Sequence, residues 1–383
     1  MIKVDKNEIC YGMVGGALDS FMGDVHRQAV TFDGKAKLVS GCFSRDYEKN
    51  LTTGEKLNLN KERIYKDFRE MAAAEADRID FVSIVLPNYA HYEAAKAFLE
   101  KGINVYCEKP LTFTVEEAEE LKGITEEKGL LFGVNYSYSG YPMVKQAREM
   151  VRRGDIGEIN MVMGEYPQGY LLAAVAGNED GGISTWRVDP EIAGRSNCVG
   201  DIGSHIENTV SYITGLEIDS LAANLRSVAG ASELDDNAEI MIKYKGGATG
   251  LYWSSQVAIG HDNGLKVRIY GSKGSIIWEQ EKPDYLTVSF IDKPRQIVSR
   301  GRDDLYPLAA EKVRLPAGHP EGLPVAFANM YLNFISAIKA QKKGEYEEGK
   351  YDFPTVEDGL QGVKFINACV DSSKMGAKWV KVE

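Results

Sequence analysis

A lysine flanked by glutamate and proline is the side chain of this sequence best suited to chemistry. Lys109 lies in Cys-Glu-Lys-Pro-Leu-Thr (107–112), where the apolar run Ile-Asn-Val-Tyr-Cys (103–107) ends. Such a run predicts a buried strand, and ligands of parallel sheets collect at the carboxyl ends of the strands. A lysine held there, with Pro110 restraining the backbone, can bond a substrate hydroxyl and stabilise negative charge on its oxygen. Glu108 can pair with it or orient it; the alternative is a solvated surface charge at Lys109.

The second candidate is Gly-Asp-Ile-Gly-Ser-His-Ile-Glu-Asn (200–208), in which an aspartate and a histidine stand four residues apart. On a helix, Asp201 and His205 share one face. Because histidine ordinarily has a pKa of about 6.5, His205 can accept a hydroxyl proton while Asp201 holds its tautomer or bonds the substrate. The alternatives are a capping aspartate with a buried histidine, or a zinc or manganese site that includes Glu207. Glu207 points away from His205 on a helix, so no metal is predicted.

The elements that must position Lys109 follow a βαβ pattern. Between Asn7 and Val134, short apolar runs alternate with helical stretches, which predicts a doubly wound parallel sheet over residues 1–134. The predicted strands are 9–14, 37–43, 81–86, 103–107 and 130–134, and the predicted helices are 21–30, 88–99 and 114–128. Thr114-x-x-Glu117 opens the last of these helices as a capping box.

Residues 135–383 have a different pattern and predict a second domain. An amphipathic helix over 142–153 precedes long alternating runs, which predict a large, predominantly antiparallel sheet carrying helices. The predicted strands are 160–166, 238–244, 250–257, 266–270 and 275–279, with hairpin turns at Gly246-Gly247 and Ser272-Lys273-Gly274. The fold class is therefore α/β, with two domains.

A glycine-rich turn follows the first predicted strand. Gly-Met-Val-Gly-Gly-Ala (12–17) lies where that strand passes into a helix, the place where backbone N–H groups can hold a pyrophosphate. The match to G-x-G-x-x-G is imperfect, because Ala17 replaces the second glycine and the turn is several residues longer before Gly23. The alternative is a purely structural turn. The strand before it and the helix after it favour a dinucleotide site.

The second strand ends in Ser44-Arg45, without the acidic residue that would accept bonds from a ribose 2′-hydroxyl. Arg45 can stack on adenine or pair with a 2′-phosphate, so these residues leave the choice between NAD and NADP open. The expected cofactor is NAD, with NADP as the alternative. The alternative is a solvated charge at the strand end.

Composition excludes several other classes of protein. The 383 residues carry a formal charge of −11 and no basic run, which argues against nucleic-acid binding and gives no reason for an anionic substrate. The five cysteines are scattered and contain no C-x-x-C, so neither a disulfide framework nor a zinc knuckle is expected. With no signal pattern and no long apolar run, the expected location is the cytoplasm, away from membranes.

In this order and spacing, the glycine turn, Glu-Lys-Pro and Asp-x-x-x-His resemble the Gfo/Idh/MocA family of sugar and inositol dehydrogenases over nearly the whole chain. Further segments are similar to the branch of that family that includes levoglucosan dehydrogenase: 23–27, 138–148, 165–168, 186–187, 234–238 and 318–322. The resemblance implies a Rossmann domain that binds NAD(P), and a second domain whose open sheet mediates a homo-oligomer, a dimer or tetramer. It also implies catalytic roles for Lys109, Asp201 and His205.

Two sets of contacts are predicted on this basis. The cofactor-binding set is Gly15, Gly16, Ala17, Phe21, Ser44, Arg45, Pro87, Asn88, His91, Glu108 and Lys109. The substrate-binding set is Lys109, Tyr136, Gln168, Trp186, Arg187, Asp201, His205 and His319. For the polar and aromatic members that lack a motif of their own, packing in the core is the alternative.

The expected reaction is reversible hydride transfer between NAD(P) and a ring hydroxyl of a small neutral sugar, anhydrosugar, glycoside or cyclitol, which gives a keto-sugar. Three alternatives use the same motifs. The first is NAD-assisted glycoside cleavage through a transient 3-keto intermediate, the second a non-catalytic dinucleotide sensor, and the third a metal-dependent epimerase. The sensor is disfavoured because it would need the glycine turn but not Lys109, Asp201 and His205, which are all present.

Overall fold

The computed structural model describes residues 8–177, 189–230 and 232–383. By internal packing the chain divides into a first unit, Met1–Gly140 with Leu323–Leu360, and a second unit, Tyr141–Gly322 with Gln361–Glu383. The functional division predicted from the sequence, 1–134 and 135–383, stays a prediction.

The first unit is built on a five-stranded parallel sheet. Its strands are β1 (Ile9–Gly15), β2 (Ala36–Cys42), β3 (Phe81–Val85), β4 (Asn104–Cys107) and β5 (Phe132–Val134), in the order β2-β1-β3-β4-β5. Every residue of β3, β4 and β5 is buried, as expected of strands covered on both faces. The strand order reverses between β1 and β3, and ligands of such sheets bind outside the carboxyl ends at this reversal.

The helices have the following bounds: α1 (Phe21–Thr31), α2 (Tyr47–Lys56), α3 (Phe68–Glu75), α4 (His91–Glu100), α5 (Val115–Glu127), α6 (Pro142–Arg152), α7 (Tyr170–Gly177), α8 (Pro190–Ala193), α9 (Ser204–Thr214), α10 (Pro307–Ala310), α11 (Leu323–Lys343) and α12 (Val356–Lys374).

Helix α5 begins at the predicted capping box. The Thr114 hydroxyl accepts from the Glu117 amide at 3.2 Å, and the Glu117 carboxylate accepts from the Thr114 amide at 3.2 Å. The predicted helix and the predicted capping box at its start are both confirmed.

Helix α11 supplies much of the first unit's core. Its Phe327, Tyr331 and Phe334 pack in one cluster with Phe81 of β3 and Tyr106 of β4. The ring centroids of Tyr331 and Tyr106 are 4.2 Å apart. A helix more than 200 residues away along the chain therefore completes the layer over this parallel sheet.

The second unit contains a nine-stranded sheet. Its strands are β6 (Ile159–Pro167), β7 (Ile218–Arg226), β8 (Asn237–Tyr244), β9 (Thr249–Ser255), β10 (Lys266–Gly271), β11 (Gly274–Glu279), β12 (Tyr285–Phe290), β13 (Gln296–Ser299) and β14 (Val380–Lys381). The order is β13-β12-β11-β10-β6-β9-β8-β7-β14. Only the β6–β9 pair is parallel among the pairs between these strands, so the predicted sheet type is confirmed. Tight turns join β8 to β9 and β10 to β11, as predicted.

Across the ranges that the structure describes, no helix is both long and apolar enough to cross a membrane. All five cysteines are free thiols.

Candidate active site

The glycine turn after β1 has two consecutive residues with left-handed backbone, Gly15 (φ 78°) and Gly16 (φ 67°). A Cβ at Gly15 would lie 2.0 Å from the Val85 carbonyl oxygen, and a Cβ at Gly23 would lie 2.6 Å from the Gly16 Cα. These glycines are therefore needed for the close approach of β3 and of α1. Ala17 is accommodated because it packs in a small apolar cluster with Met13 and Val85.

Helix α1 begins directly after this turn. Ser20 caps it and accepts from the Gly23 amide at 3.1 Å, and Arg27 donates to the Gly16 carbonyl and pairs with Asp24. The N-terminus of an eleven-residue helix thus follows a turn with no side chains at two successive positions, which fits a dinucleotide pyrophosphate. Phe21, at the first position of α1, is 71% exposed.

The end of β2 is fixed by an amide side chain. Asn50 Oδ1 accepts from the Ser44 amide at 2.5 Å, and Asn50 Nδ2 donates to the Ser44 carbonyl at 2.9 Å. Asp46 is committed to capping α2, where it accepts from the Glu48 amide at 3.0 Å. Arg45 is exposed between these anchored residues. The strand end therefore presents a cation, as the sequence predicts.

The carboxylate of the Glu-Lys-Pro segment is buried and accepts three N–H groups. Glu108 Oε1 lies 2.7 Å from His26 Nε2 and accepts from Asn135 Nδ2 at 2.6 Å, while Oε2 accepts from the Lys109 amide at 3.1 Å. Burial alone would raise the pKa of Glu108, but the bonds and charge of His26, with Lys109 and Asn135, lower it to about 2. Glu108 is an anion held by its neighbours.

His91, the first residue of α4, lies on the other side of the same segment. It is fully buried, and its two ring nitrogens each lie 2.8 Å from a carbonyl oxygen, that of Pro110 and that of Leu86. Burial lowers the pKa of His91, against the opposing effect of the two carbonyls. Glu108 and His91 thus have partners inside the protein, and their predicted contacts with the cofactor stay predictions. So do those of Pro87 and the buried Asn88, which follow β3.

Asp201 and His205 lie on one continuous helical segment in the second unit. Residues Val199–Gly203 form a π-helical turn, which contains Asp201, and α9 follows with His205 as its second residue. Single π turns inside helices are rare and frequently occur at functional sites. The buried carboxylate of Asp235 holds the start of the turn by accepting from the amides of Asn197 at 3.0 Å and Val199 at 2.9 Å. Burial raises the pKa of Asp235.

A chain of two amide side chains orients Asp201. Gln256, at the end of β9, donates from Nε2 to Asp201 Oδ2 at 3.2 Å, and its Oε1 accepts from Asn197 Nδ2 at 2.7 Å. Gln256 and Asn197 are both buried. Neither residue was predicted, since no motif marks them.

Gln168 is linked to His205 through two intervening side chains, Asn263 and Tyr166. Asn263 Oδ1 accepts from Gln168 Nε2 at 2.9 Å and from the Tyr166 hydroxyl at 2.5 Å. The ring centroids of Tyr166 and His205 are 6.2 Å apart. Asn263 and Tyr166 thus link Gln168 to the segment that carries Asp201 and His205, and neither was predicted as a site residue. The predicted substrate contacts of Gln168, Asp201 and His205 stay predictions.

The remaining predicted substrate contacts are more scattered. Tyr136 belongs to the first unit and is buried. His319 is exposed in the second unit, where its carbonyl accepts from the buried Arg300. Trp186 and Arg187 lie outside the described residues. In the described ranges no cluster of three or more His, Cys, Asp or Glu side chains is arranged to hold a metal ion, and the metal-free site stays a prediction.

The comparisons with known proteins decide the family. Residues 9–136 match the oxidoreductase family with an NAD-binding Rossmann fold, and residues 144–277 match the Gfo/Idh/MocA C-terminal domain. An uncharacterized oxidoreductase, YfiI, of Bacillus subtilis is 38% identical over 97% of this chain and 96% of its own length. The chain belongs to the Gfo/Idh/MocA family. The predicted family is confirmed, and this Gfo/Idh/MocA protein is an oxidoreductase with an NAD-binding domain.

Two further relatives have more informative names. The crystal structure of an inositol dehydrogenase homolog from Azotobacter vinelandii, complexed with NAD⁺, is 37% identical, covers 98% of each chain and superposes with a TM-score of 0.93. The same homolog has been solved with NADH and myo-inositol. Levoglucosan dehydrogenase of Pseudarthrobacter phenanthrenivorans is 29% identical over 79% of this chain and 80% of its own length.

Proposed function

We propose that this oxidoreductase oxidises a ring hydroxyl of a small neutral carbohydrate or cyclitol with NAD, giving a keto-sugar. The observation that carries the proposal is the pair of constellations described above. Lys109 follows a buried parallel strand of an NAD-binding domain, and Asp201 and His205 share one helical segment. The names of the relatives, with levoglucosan and myo-inositol among their compounds, support the substrate class.

In the proposed mechanism, His205 accepts the proton of the substrate hydroxyl. The electron pair left on oxygen forms the new C=O bond as the C–H bond of the same carbon breaks. The ammonium of Lys109 stabilises negative charge on that oxygen, and Asp201 orients the hydroxyl or the imidazole. When bound, the nicotinamide supplies the acceptor for the departing hydride.

The residues proposed to hold the cofactor lie at the carboxyl edge of the parallel sheet. Gly15, Gly16 and the start of α1 would hold the pyrophosphate, because the turn is open and the helix N-terminus attracts negative charge. Ser44 and the exposed Arg45 would lie against the adenosine ribose. These two side chains fit either a ribose 2′-hydroxyl or a 2′-phosphate. We propose NAD, with NADP as the second cofactor, because the matching family model is NAD-binding and an inositol dehydrogenase homolog was solved with NAD⁺.

The experiment that tests the proposed reaction is a substrate panel read by the absorbance of reduced nicotinamide. Levoglucosan, myo-inositol, D-xylose and a glucoside with a chromogenic aglycone would each be assayed with NAD and with NADP. We expect NADH to accumulate with at least one unsubstituted sugar or cyclitol. Release of free aglycone without net NADH, and no NADH from any unsubstituted compound, would contradict net oxidation and support glycoside cleavage instead.

We also propose that copies of this chain associate through the open face of the nine-stranded sheet. Along β8 the side chains alternate between buried and exposed, and Met241 (49% exposed) pairs directly with Leu251 (41% exposed) of β9. Exposed apolar side chains opposite each other on neighbouring strands favour a protein contact. Light scattering should give a dimer or tetramer, and Met241→Asp with Leu251→Asp should give a smaller species; a wild-type monomer would contradict this proposal.

A further inference from the structure

The Glu108 carboxylate is the centre of a hydrogen-bond chain that reaches α11. Because a carboxylate only accepts, His26 Nε2 donates to Glu108 at 2.7 Å. His26 Nδ1 lies 2.6 Å from the Tyr331 hydroxyl, which lies 2.8 Å from Ser83 Oγ. Each of these groups therefore has a partner within the network, and His26 Nε2 donates to Glu108 whichever way the protons shared with Tyr331 and Ser83 lie.

These hydrogen bonds restrict how the Glu108 side chain can rotate. Oε1 is held by donors from two different elements, His26 on α1 and Asn135 after β5, so Oε2 has one direction left and accepts from the Lys109 amide. All of these side chains except Lys109 are buried, and water cannot easily replace a lost bond. The direction in which the backbone presents Lys109 therefore depends on these hydrogen bonds.

We propose that Glu108, His26 and Tyr331 are positioning residues that fix Lys109 for its chemistry. The inference rests on the proposed catalytic role of Lys109 and adds a cause for its placement. It also gives α1, the helix that follows the glycine turn, a direct connection to Lys109 through His26. Packing alone would not require a hydroxyl at Tyr331, since the ring contacts with Tyr106 and Phe81 would persist in phenylalanine.

The first test removes single oxygen atoms. Tyr331→Phe deletes the hydroxyl that orients His26, whereas the control Tyr11→Phe deletes another fully buried hydroxyl of the same unit, which has no hydrogen-bond partner in the described ranges. We expect Tyr331→Phe to lower kcat about 10-fold, with the NADH dissociation constant unchanged. Tyr11→Phe should leave kcat unchanged. Equal kcat values in the wild type and Tyr331→Phe would overturn the role of Tyr331.

The second test asks whether Glu108 acts through Lys109. Glu108→Gln places an N–H group where the Lys109 amide now donates, and we expect turnover to fall about 100-fold. The same change in a Lys109→Ala background should cost almost nothing, because residues that act as a unit are not additive. If Glu108→Gln lowered turnover equally in both backgrounds, positioning would be wrong while the proposed function stood. If Lys109→Ala itself had no effect, the proposed function would fail.

A third measurement needs no substrate. Hydrogen exchange of the Lys109 amide, read by mass spectrometry on peptides spanning residues 106–113, reports the bond to Glu108 directly. We expect faster exchange in Glu108→Gln and Tyr331→Phe than in the wild type, and no change in Tyr11→Phe. Unchanged exchange in both of the first two variants would overturn the proposal even if their activities fell.

Discussion

The two carboxylates nearest to the proposed chemistry, Glu108 in the first unit and Asp201 in the second, are held in different ways. Glu108 accepts three N–H groups, one of them from an imidazole, and its pKa is lowered to about 2. Asp201 lies on a π-helical turn and accepts from the neutral amide of Gln256 at 3.2 Å. The first unit therefore fixes its site by charge and a buried network, and the second by backbone geometry and amide side chains.

The two regions should therefore respond to different perturbations. A network built around a buried anion is sensitive to pH and to neutralising its charge, because the anion is stabilised only while it stays ionised. A carboxylate placed by a helical distortion and an amide is sensitive to the shape and hydrogen bonding of its supports.

The largest effect is expected at the proton acceptor of the second unit. His205→Gln keeps a polar side chain of similar length but cannot take up a proton, so turnover should fall by about 1,000-fold. The loss should shrink as pH rises, since hydroxide in solution increasingly removes the proton. Steady-state rates between pH 6 and 10 test this. A rate within a few-fold of the wild type at pH 7 would contradict the role of His205.

The next effect is on the free energy of unfolding, and it is confined to acidic pH. The pKa of Glu108 is lowered from 4.5 to about 2, so its contribution is fully present above pH 4.5 and is lost as pH falls toward 2. A shift of this size corresponds to about 3 kcal/mol. Urea titration at each pH would give the free energy of unfolding of the wild type and of Glu108→Gln. The difference between the two should narrow by about 3 kcal/mol as the pH falls from above 4.5 toward 2. A constant difference would show that Glu108 is not held as an anion.

A smaller effect is expected from the amide that orients Asp201. Gln256→Leu removes the donor at 3.2 Å, and kcat should fall about 10-fold with little change in NADH affinity. Gln280→Leu is the matched control, because Gln280 belongs to the same unit and its Oε1 accepts no hydrogen bond in the described part of the chain. Equal losses in the two variants would mean that Gln256 acts only in packing.

The features that the sequence predicted are those with a local signal. Lys109 follows an apolar strand and precedes a proline, and the spacing of Asp201 and His205 is typical of one helix face. These local patterns singled out both constellations, whose catalytic roles stay predictions. For the same reason the sequence predicted the capping box of α5, both hairpin turns, the five strands of the parallel sheet, and β6, β8, β9, β10 and β11 of the second sheet. The strands β7, β12, β13 and β14 were not predicted. Ala17 was a departure from the expected glycine pattern, and its burial beside Met13 explains it.

The residues that support the site had no such signal. Tyr331 lies 305 residues from His26, and Gln256 lies 55 residues from Asp201, so only the folded chain brings them together. His26 stood in a segment that resembled the family, but its bond to Glu108 could not be read from spacing. The packing of Leu323–Leu360 with the first unit is likewise a tertiary property.

Whether Lys109 stabilises charge during hydride transfer can be measured in the variant Lys109→Ala. Turnover with the best substrate of the panel and NADH binding by fluorescence titration would be measured on the same preparation. We predict at least about a 100-fold loss of turnover, with the NADH dissociation constant within a few-fold of the wild type. Turnover that stays unchanged while NADH still binds would contradict it.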